Sequence, residues 1–215
     1  MSNDLIENPS PRCPCLVILD TSGSMDGKPI RELNEGINLF IRALREDEVA
    51  SFSVEVAFLR AGGDVEEILP FTVASEINEC APLPAYGNTP LGRAVELGLD
   101  MLERRKNEYK KNGVAYYQPW LVMISDGAPT DDWRVAALHA REMASKKKLV
   151  SLMVGVGGAN MDILREFSNR PACKLQGLKF SEFFQWLSAS MSRVSSSNST
   201  ASSVQLPPMD TWASI

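Results

Sequence analysis

Oxygen-bearing side chains recur at every second position in one short stretch, as Asp20, Ser22 and Ser24. The apolar residues 16–19 before it predict a strand buried on both faces. A carboxylate and two hydroxyls on one tight turn at the carboxyl end of a strand can converge on one point, and hard divalent cations prefer oxygen ligands. The stretch therefore predicts a metal site, although Asp, Ser and Gly are also ordinary turn residues.

Two later loops carry further oxygen ligands. Thr89 precedes Pro90, which suits the first turn of a helix, so Thr89 is either the cap of that helix or a ligand. Asp126 follows the apolar residues 119–125, which predict another buried strand, and its alternative role is that of a turn former. Neither residue identifies a metal site alone, so their positions in the fold decide whether they are ligands.

Strand and helix patterns alternate along the chain. Apolar residues spaced by three and four predict helices, and alternating or continuous apolar runs predict strands. The predicted strands are residues 16–19, 50–59, 65–71, 119–125, 149–156 and 172–176. The predicted helices are residues 30–45, 75–80, 132–146, 161–168 and 180–191, with one more that begins at 89–90 and ends within 103–113. Asp131 and Asp132 are expected to cap and begin the helix that follows them.

This order of elements predicts an α/β fold. We expect a three-layer, doubly wound (Rossmann-like), mostly parallel sheet with one antiparallel edge strand and helices on both faces. Residues 50–59 and 65–71, joined by a tight turn, form the antiparallel pair. In such sheets ligands bind outside the carboxyl ends of the strands, where the strand order reverses. Asp20, Thr89 and Asp126 are therefore expected to meet there.

The chain is predicted to contain one domain, residues 13–191, between a polar N-terminal extension (1–12) and a serine-rich tail (192–215). Residues 195–203 cannot bury enough apolar surface to fold, so the tail is expected to be flexible and dispensable for folding. The apolar residues 204–212 at its end are either a short docking segment or a sticky end, and composition does not decide between them.

Composition narrows the choice of partners and compartment. A net charge of −5 gives no reason to expect nucleic acid or an anionic membrane as a partner. Since no hydrophobic leader and no membrane span are found, the protein is expected in the cytoplasm, where its four cysteines are reduced. Cys15 is expected to point into the core rather than to form a metal or redox pair with Cys13. His139, the one histidine, is expected to be structural.

Three short motifs together resemble a known family. The patterns D-x-S-x-S at residues 20–24, G-N-T at 87–89 and S-D-G at 125–127 look like the three loops of the metal-ion-dependent adhesion site (MIDAS) of von Willebrand factor type A (VWA) domains. Residues 13–191 follow that family's order. Residues 126–133 and 183–188 also resemble a bacterial subgroup, the TerY type, found beside tellurite-resistance and stress-response genes. Ser125 is a mild departure, because this loop more often carries Thr.

The resemblance implies a bound Mg²⁺, or Mn²⁺ in its place, with an open position that an acidic side chain of a partner protein fills. Ser22 and Ser24 would bind the ion directly, and Thr89 directly or through water. Asp20 and Asp126 would bind it directly or through its waters. The residues that flank these ligands are expected to contact the partner: Gly23, Met25, Asn88 and Gly127. The subgroup also implies a role in tellurite or stress resistance, with kinase or phosphatase partners encoded nearby.

Two functional classes remain in view, a binding module and an enzyme. The enzyme would be a metal-dependent phosphatase or phosphotransferase with Asp20 as its nucleophile. Aspartate phosphatases carry a second carboxylate two residues later, where this chain has Ser22, and no general acid is evident. Neither glycine-rich nucleotide-binding motif is present. The sequence therefore favours a metal-dependent binding module that is not an enzyme.

Overall fold

A central sheet of seven strands organises the part of the chain that the computed structural model describes, which is residues 10–197, 199–200, 203–210 and 212–214. The strands are β1 (Cys13–Asp20), β2 (Val54–Gly62), β3 (Asp64–Val73), β4 (Trp120–Ser125), β5 (Val150–Gly155), β6 (Cys173–Leu175) and β7 (Ala213–Ser214), in the order β3-β2-β1-β4-β5-β6-β7. The five inner strands are parallel, and β3 and β7 run antiparallel at the two edges. The predicted mostly parallel sheet is confirmed, with a second antiparallel edge strand added.

Helices cover both faces of the sheet. They are α1 (Lys28–Glu46), α2 (Ala50–Ser53), α3 (Leu91–Lys111), α4 (Arg134–Ser145), α5 (Met161–Glu166) and α6 (Phe180–Ser195). Helices α1 and α6 pack on one face, where Val17 of β1 lies, whereas α3, α4 and α5 pack on the other, where Leu16 and Ile18 lie. Successive side chains of β1 thus enter two different cores, as its continuous apolar run predicts.

The switch in strand order falls between β1 and β4. The chain leaves β1 towards α1 on one face and leaves β4 towards α4 on the other. The loops after these two strands therefore border a crevice at the carboxyl ends of the strands, the usual ligand position in open α/β sheets.

Local structure departs from the sequence prediction at residues 50–53, which form the short helix α2 before strand β2. Asp47 explains the difference, because its carboxylate accepts the N–H groups of Val49 (3.0 Å) and Ala50 (2.8 Å) and so starts a helical turn. The helix predicted over 75–80 is reduced to a single 3₁₀ turn, Ala74–Glu76.

The C-terminal segment differs from the expected flexible tail. Helix α6 continues to Ser195, and strand β7 pairs with β6. Between them Trp212 is fully buried, with its ring centroid 4.9 Å from that of Phe183 and 5.3 Å from that of Trp186. The C-terminal segment thus packs against α6 through a buried aromatic side chain, which the serine-rich composition before it does not predict. Residues 198, 201 and 202 of the serine-rich stretch lie outside the described residues.

At the opposite end of the chain, most of the predicted N-terminal extension, residues 1–9, lies outside the described residues, and the domain boundaries stay a prediction. Arg12, the last residue of that extension, is fully buried. It lies 3.6 Å from the carboxylate of Glu55, which also accepts hydrogen bonds from Arg105 and the Tyr109 hydroxyl at 2.6 Å each. Burial and the nearby Glu55 charge raise the pKa of Tyr109, so its hydroxyl stays a donor. No helix in the described ranges is long and apolar enough to cross a membrane.

Candidate metal site

Asp20 is the fixed point of the first loop. Its side chain is fully buried at the end of β1. The backbone N–H of Ser22 donates to one carboxylate oxygen (2.9 Å), and the Ser125 hydroxyl donates to the other (2.5 Å). The first bond closes a tight Asx turn, and the second links the loops after β1 and β4. Sequence reasoning assigned no role to Ser125 beyond its departure from the family pattern.

The two serine hydroxyls and Asp126 form a short chain of oxygen atoms. A 3₁₀ turn over Gly23–Met25 brings the Ser24 hydroxyl to 3.1 Å from that of Ser22. The Ser24 hydroxyl donates to the carboxylate of Asp126 at 2.9 Å. Adjacent ligands of an octahedral Mg²⁺ at 2.0–2.1 Å lie about 2.9 Å apart. The spacing and chemistry of these three oxygens therefore fit a hard divalent ion.

Thr89 lies in the second loop, beside the third. Its side chain is 6 % exposed, and its hydroxyl would lie 3.8 Å from a Cβ placed on Gly127. Its backbone N–H donates to the Thr130 hydroxyl (3.1 Å), and its carbonyl accepts the Thr130 N–H (3.0 Å). The geometry brings Thr89 next to the loop that carries Asp126.

Thr89 is not the helix cap that the sequence allowed. Helix α3 begins at Leu91, and Asp131 accepts the N–H groups of Gly92 (3.1 Å) and Arg93 (2.8 Å). The prediction that Asp131 caps the helix after it is therefore wrong, because its carboxylate satisfies the first turn of a helix 39 positions earlier in the chain. A side chain so distant in sequence leaves no local signal.

Backbone hydrogen bonds join the loops independently of any ligand side chain. The Gly23 N–H donates to the Gly87 carbonyl (3.0 Å), and the Gly63 N–H donates to the Asn88 carbonyl (2.9 Å). Gly87 has a φ of 71°, and a Cβ there would lie 2.5 Å from the Gly63 Cα. Position 87 therefore requires glycine for two reasons, its left-handed backbone conformation and its close contact with Gly63.

Two carboxylates set the electrostatics of the site. Burial raises the pKa of Asp126, the Ser24 hydrogen bond opposes that rise, and the charge on Asp20 adds to it. A divalent cation would relieve the repulsion. In the described ranges no three His, Cys, Asp or Glu side chains cluster, so an ion here would depend on hydroxyl oxygens as well as the two carboxylates.

The residues expected at the partner surface divide by exposure. Gly23 and Asn88 are exposed, and Gly127 is half-buried beside Asp126. Met25 is fully buried, so the expectation that it contacts a partner is corrected. The 3₁₀ turn that brings Ser24 towards the site directs Met25 into the core on the α1 side.

The remaining candidate side chains lie away from this site. Cys13 and Cys15 are both fully buried, and burial raises the pKa of Cys13 to about 12, so it stays a thiol. The Cys13 sulfur lies 3.8 Å from that of Met191. Cys15 lies in the core as predicted. His139 is exposed on α4.

Structural comparison places this fold among known proteins. A von Willebrand factor type A structure from Catenulispora acidiphila has a TM-score of 0.64 at 16 % identity, covering 86 % of this chain and 43 % of that one. Manganese-loaded TRAP from Plasmodium vivax has 0.58 at 18 % identity, covering 80 % and 71 %. Proximal thread matrix protein 1 from the mussel byssus, with a zinc-occupied MIDAS motif, has 0.57 at 12 % identity, covering 85 % and 48 %. At these identities the similarity concerns the fold.

Sequence comparison adds the family. The chain spans less than half the length of the first of these structures. A search of curated proteins returned no match. The family model described as the von Willebrand factor type A domain matches residues 16–186, which include the second half of β1 and all three loops of the candidate site. The chain therefore belongs to the von Willebrand factor type A domain family.

Proposed function

We propose that this protein is a divalent-metal-dependent protein-interaction module. The observation that carries the proposal is the chain of oxygen atoms formed by Ser22, Ser24 and Asp126 at 2.9–3.1 Å spacing. Asp20 and Thr89 complete the proposed ligand set. Mg²⁺ or Mn²⁺ is the proposed ion, and the related structures that contain manganese or zinc support a divalent metal.

The donor chemistry explains how such a site would capture a partner. Two carboxylates balance a divalent charge, whereas the hydroxyls of Ser22, Ser24 and Thr89 add none. When bound, the ion supplies an electrophilic centre that attracts one further anionic ligand. An acidic side chain of another protein is the proposed ligand, and the exposed Gly23 and Asn88 leave the approach open.

A phosphatase or phosphotransferase that uses Asp20 is the less favoured alternative. A nucleophilic carboxylate needs an oxygen free to attack, but Asp20 is fully buried and both its oxygens accept hydrogen bonds. Its surroundings are those of a positioning group. We therefore propose that the protein is not an enzyme.

The biological setting of the proposal rests on the TerY-like motifs at residues 126–133 and 183–188. They support a role in a bacterial tellurite- or stress-resistance system. Within it, a cytoplasmic location and a kinase or phosphatase partner are parts of the same proposal. Deleting the gene and measuring growth on tellurite tests this part separately from metal binding.

Metal binding is tested by calorimetric titration of the metal-free protein with MgCl₂ and MnCl₂. Ser24 is the residue to change because it is exposed, so Ser24→Ala leaves the fold intact while removing one central oxygen. Ser145→Ala, at an exposed serine at the end of α4, is the matched control. Wild type and control should bind one ion, and Ser24→Ala should bind at least about tenfold more weakly. Equal binding by all three proteins would refute the site.

Partner capture is tested by affinity purification from the native cell in Mg²⁺ and in EDTA. Thr89→Ala is the informative variant, because Asp131 caps α3 and the fold should therefore tolerate the loss of this hydroxyl. A partner retained by the wild type in Mg²⁺ should be lost in EDTA and weakened in Thr89→Ala. Retention in EDTA would place recognition elsewhere on the surface.

A further inference from the structure

Two adjoining cavities lie at the end of the sheet opposite the candidate metal site. Their volumes are about 310 Å³ and 180 Å³, and Trp120, Val150, Arg170 and Leu206 line both. Trp120 and Val150 begin β4 and β5, so the cavities lie at the amino ends of the strands. The C-terminal segment, through Leu206, forms the outer wall. Together the cavities fall in the range of about 300–1,000 Å³ that small-molecule sites occupy.

The smaller cavity is apolar. Leu152, Trp186 and Met209 are among its walls, and the Trp186 indole N–H already donates to the Pro207 carbonyl at 2.9 Å. This cavity therefore offers a guest apolar contact and little hydrogen bonding. An apolar cavity of about 150 Å³ in another protein is known to bind benzene. A group about the size of one aromatic ring fits here.

The larger cavity is cationic. Lys147 and Arg170 line it, and no Asp or Glu lines either cavity within the described residues. Other exposed cations nearby in sequence are paired, such as Lys146 with Glu142 and Arg165 with Asp162, each at 2.9 Å. In the part of the chain that the structure describes, neither Lys147 nor Arg170 has such an acidic partner.

The backbone conformation of Lys147 is a second observation that supports a functional role for its side chain. Lys147 has a φ of 55°, in the left-handed region. Its N–H donates to the Ala144 carbonyl (3.0 Å), and the Lys148 N–H donates to the Met143 carbonyl (2.9 Å). These two bonds form a Schellman motif at the end of α4, whose left-handed position is usually glycine. The chain accepts some backbone strain here and thereby gains a cation at the cavity.

We propose that these cavities bind a small amphipathic carboxylate, with its apolar group in the smaller cavity and its carboxylate beside Arg170 and Lys147. Arg170 lines both cavities and Lys147 lines the larger one, so a ligand that fills the smaller cavity and extends into the larger one lies beside both residues. A charged hydrogen bond from arginine to a carboxylate favours this orientation. The site is separate from the metal loops, and its occupancy does not depend on the function proposed for them.

The test uses 4-phenylbutyrate as the probe and 4-phenylbutanol as its uncharged counterpart, titrated into the full-length protein by calorimetry. The probe should bind saturably at one site with a Kd below about 1 mM, and the alcohol at least about tenfold more weakly. Arg170→Gln should weaken probe binding by a similar factor. The control Arg165→Gln removes a nearby cation that lines neither cavity, and it should bind like the wild type.

Lys147→Gly is a second test variant, which should stabilise the fold but weaken probe binding. Relief of the left-handed strain should raise the melting temperature, whereas loss of the ammonium should weaken probe binding. Lys148→Ala, which removes the adjacent charge outside these cavities, should leave probe binding unchanged. A purely structural role for Lys147 predicts unchanged affinity in Lys147→Gly.

Several results would overturn the proposal. They are the absence of saturable probe binding, equal binding of the alcohol, and unchanged affinity in both Arg170→Gln and Lys147→Gly. Displacement of the probe by acetate at equal concentration would also overturn it, since it would indicate a plain anion site with no use for the apolar cavity.

Discussion

Trp212 gives the sharpest test of how the C-terminal segment is attached. Its side chain is fully buried against Phe183 and Trp186. Replacing a buried Trp by Ala costs about 3–5 kcal/mol. The Trp212 indole N–H has no hydrogen-bond partner among the described residues, and a buried unpaired donor is itself unfavourable by about 1–3 kcal/mol. We therefore expect Trp212→Ala to lower the free energy of unfolding by about 3 kcal/mol, at the low end of the range.

The matched variant Trp212→Phe separates the ring contacts from the N–H group. It keeps an aromatic ring against Phe183 and removes the unpaired donor, so it should stay within about 1 kcal/mol of the wild type. Urea unfolding followed by circular dichroism measures both variants. For a chain of this size, 3 kcal/mol corresponds to a melting temperature lower by about 6–12 °C.

The reasoning fails if Trp212→Ala unfolds within about 1 kcal/mol of the wild type, because the segment would then be dispensable as its serine-rich composition suggests. It also fails if Trp212→Phe costs as much as Trp212→Ala, since the aromatic contacts would then not be the source of stability. A change in the urea m-value would indicate a different unfolded state rather than a lost contact.

Three further predictions concern other parts of the fold. Burial raises the pKa of Asp126 in the folded protein above the ordinary value of 3.8, so ionisation of this carboxyl opposes folding. The metal-free protein should therefore lose stability as the pH rises from 3.8 to the raised pKa. Melting temperatures measured in EDTA should change less with pH for Asp126→Asn than for the wild type. Glu55→Gln should lower the free energy of unfolding in urea by about 3–5 kcal/mol, because it leaves Arg12 and Arg105 without their buried counter-charge. The control Glu108→Gln changes an exposed partner of Arg105 and should cost less than about 1 kcal/mol. Gly36→Ala should lower the melting temperature, because the added Cβ would lie 2.6 Å from the Phe184 ring. This clash outweighs the preference of about 1 kcal/mol that alanine has over glycine in a helix. An unchanged or higher melting temperature would show that the Phe184 ring moves aside.

The fold was largely predictable because local patterns carry it. The continuous apolar runs of β1, β4 and β5 identify inner parallel strands, and these three strands lie side by side in the sheet. The short motifs around Asp20 and Asp126 could be placed at the same edge of the sheet, because parallel strands end together. The hydrogen bond from Ser24 to Asp126 spans 102 positions and agrees with that placement.

What the sequence did not predict depends on distant partners. Asp131 looks like the cap of the helix after it, and only the tertiary fold directs its carboxylate to α3. Trp212 follows a serine-rich stretch whose composition indicates disorder, but its partners Phe183 and Trp186 lie on α6. Met25 was expected at a binding surface because it flanks Ser24 in sequence, and the direction of one 3₁₀ turn placed it in the core.

The backbone bonds between the loops have an evolutionary consequence. The first two loops are joined by backbone N–H and carbonyl groups, those of Gly23 and Gly87, and a side-chain change at Ser22, Ser24 or Thr89 does not remove these groups. The oxygen atoms of the proposed site can therefore be exchanged one at a time while these backbone bonds remain. Replacing a hydroxyl by a carboxylate would add negative charge and favour a larger, more highly coordinated ion such as Ca²⁺. The ion preference of the proposed site can thus shift by single substitutions while the backbone bonds between the loops are kept.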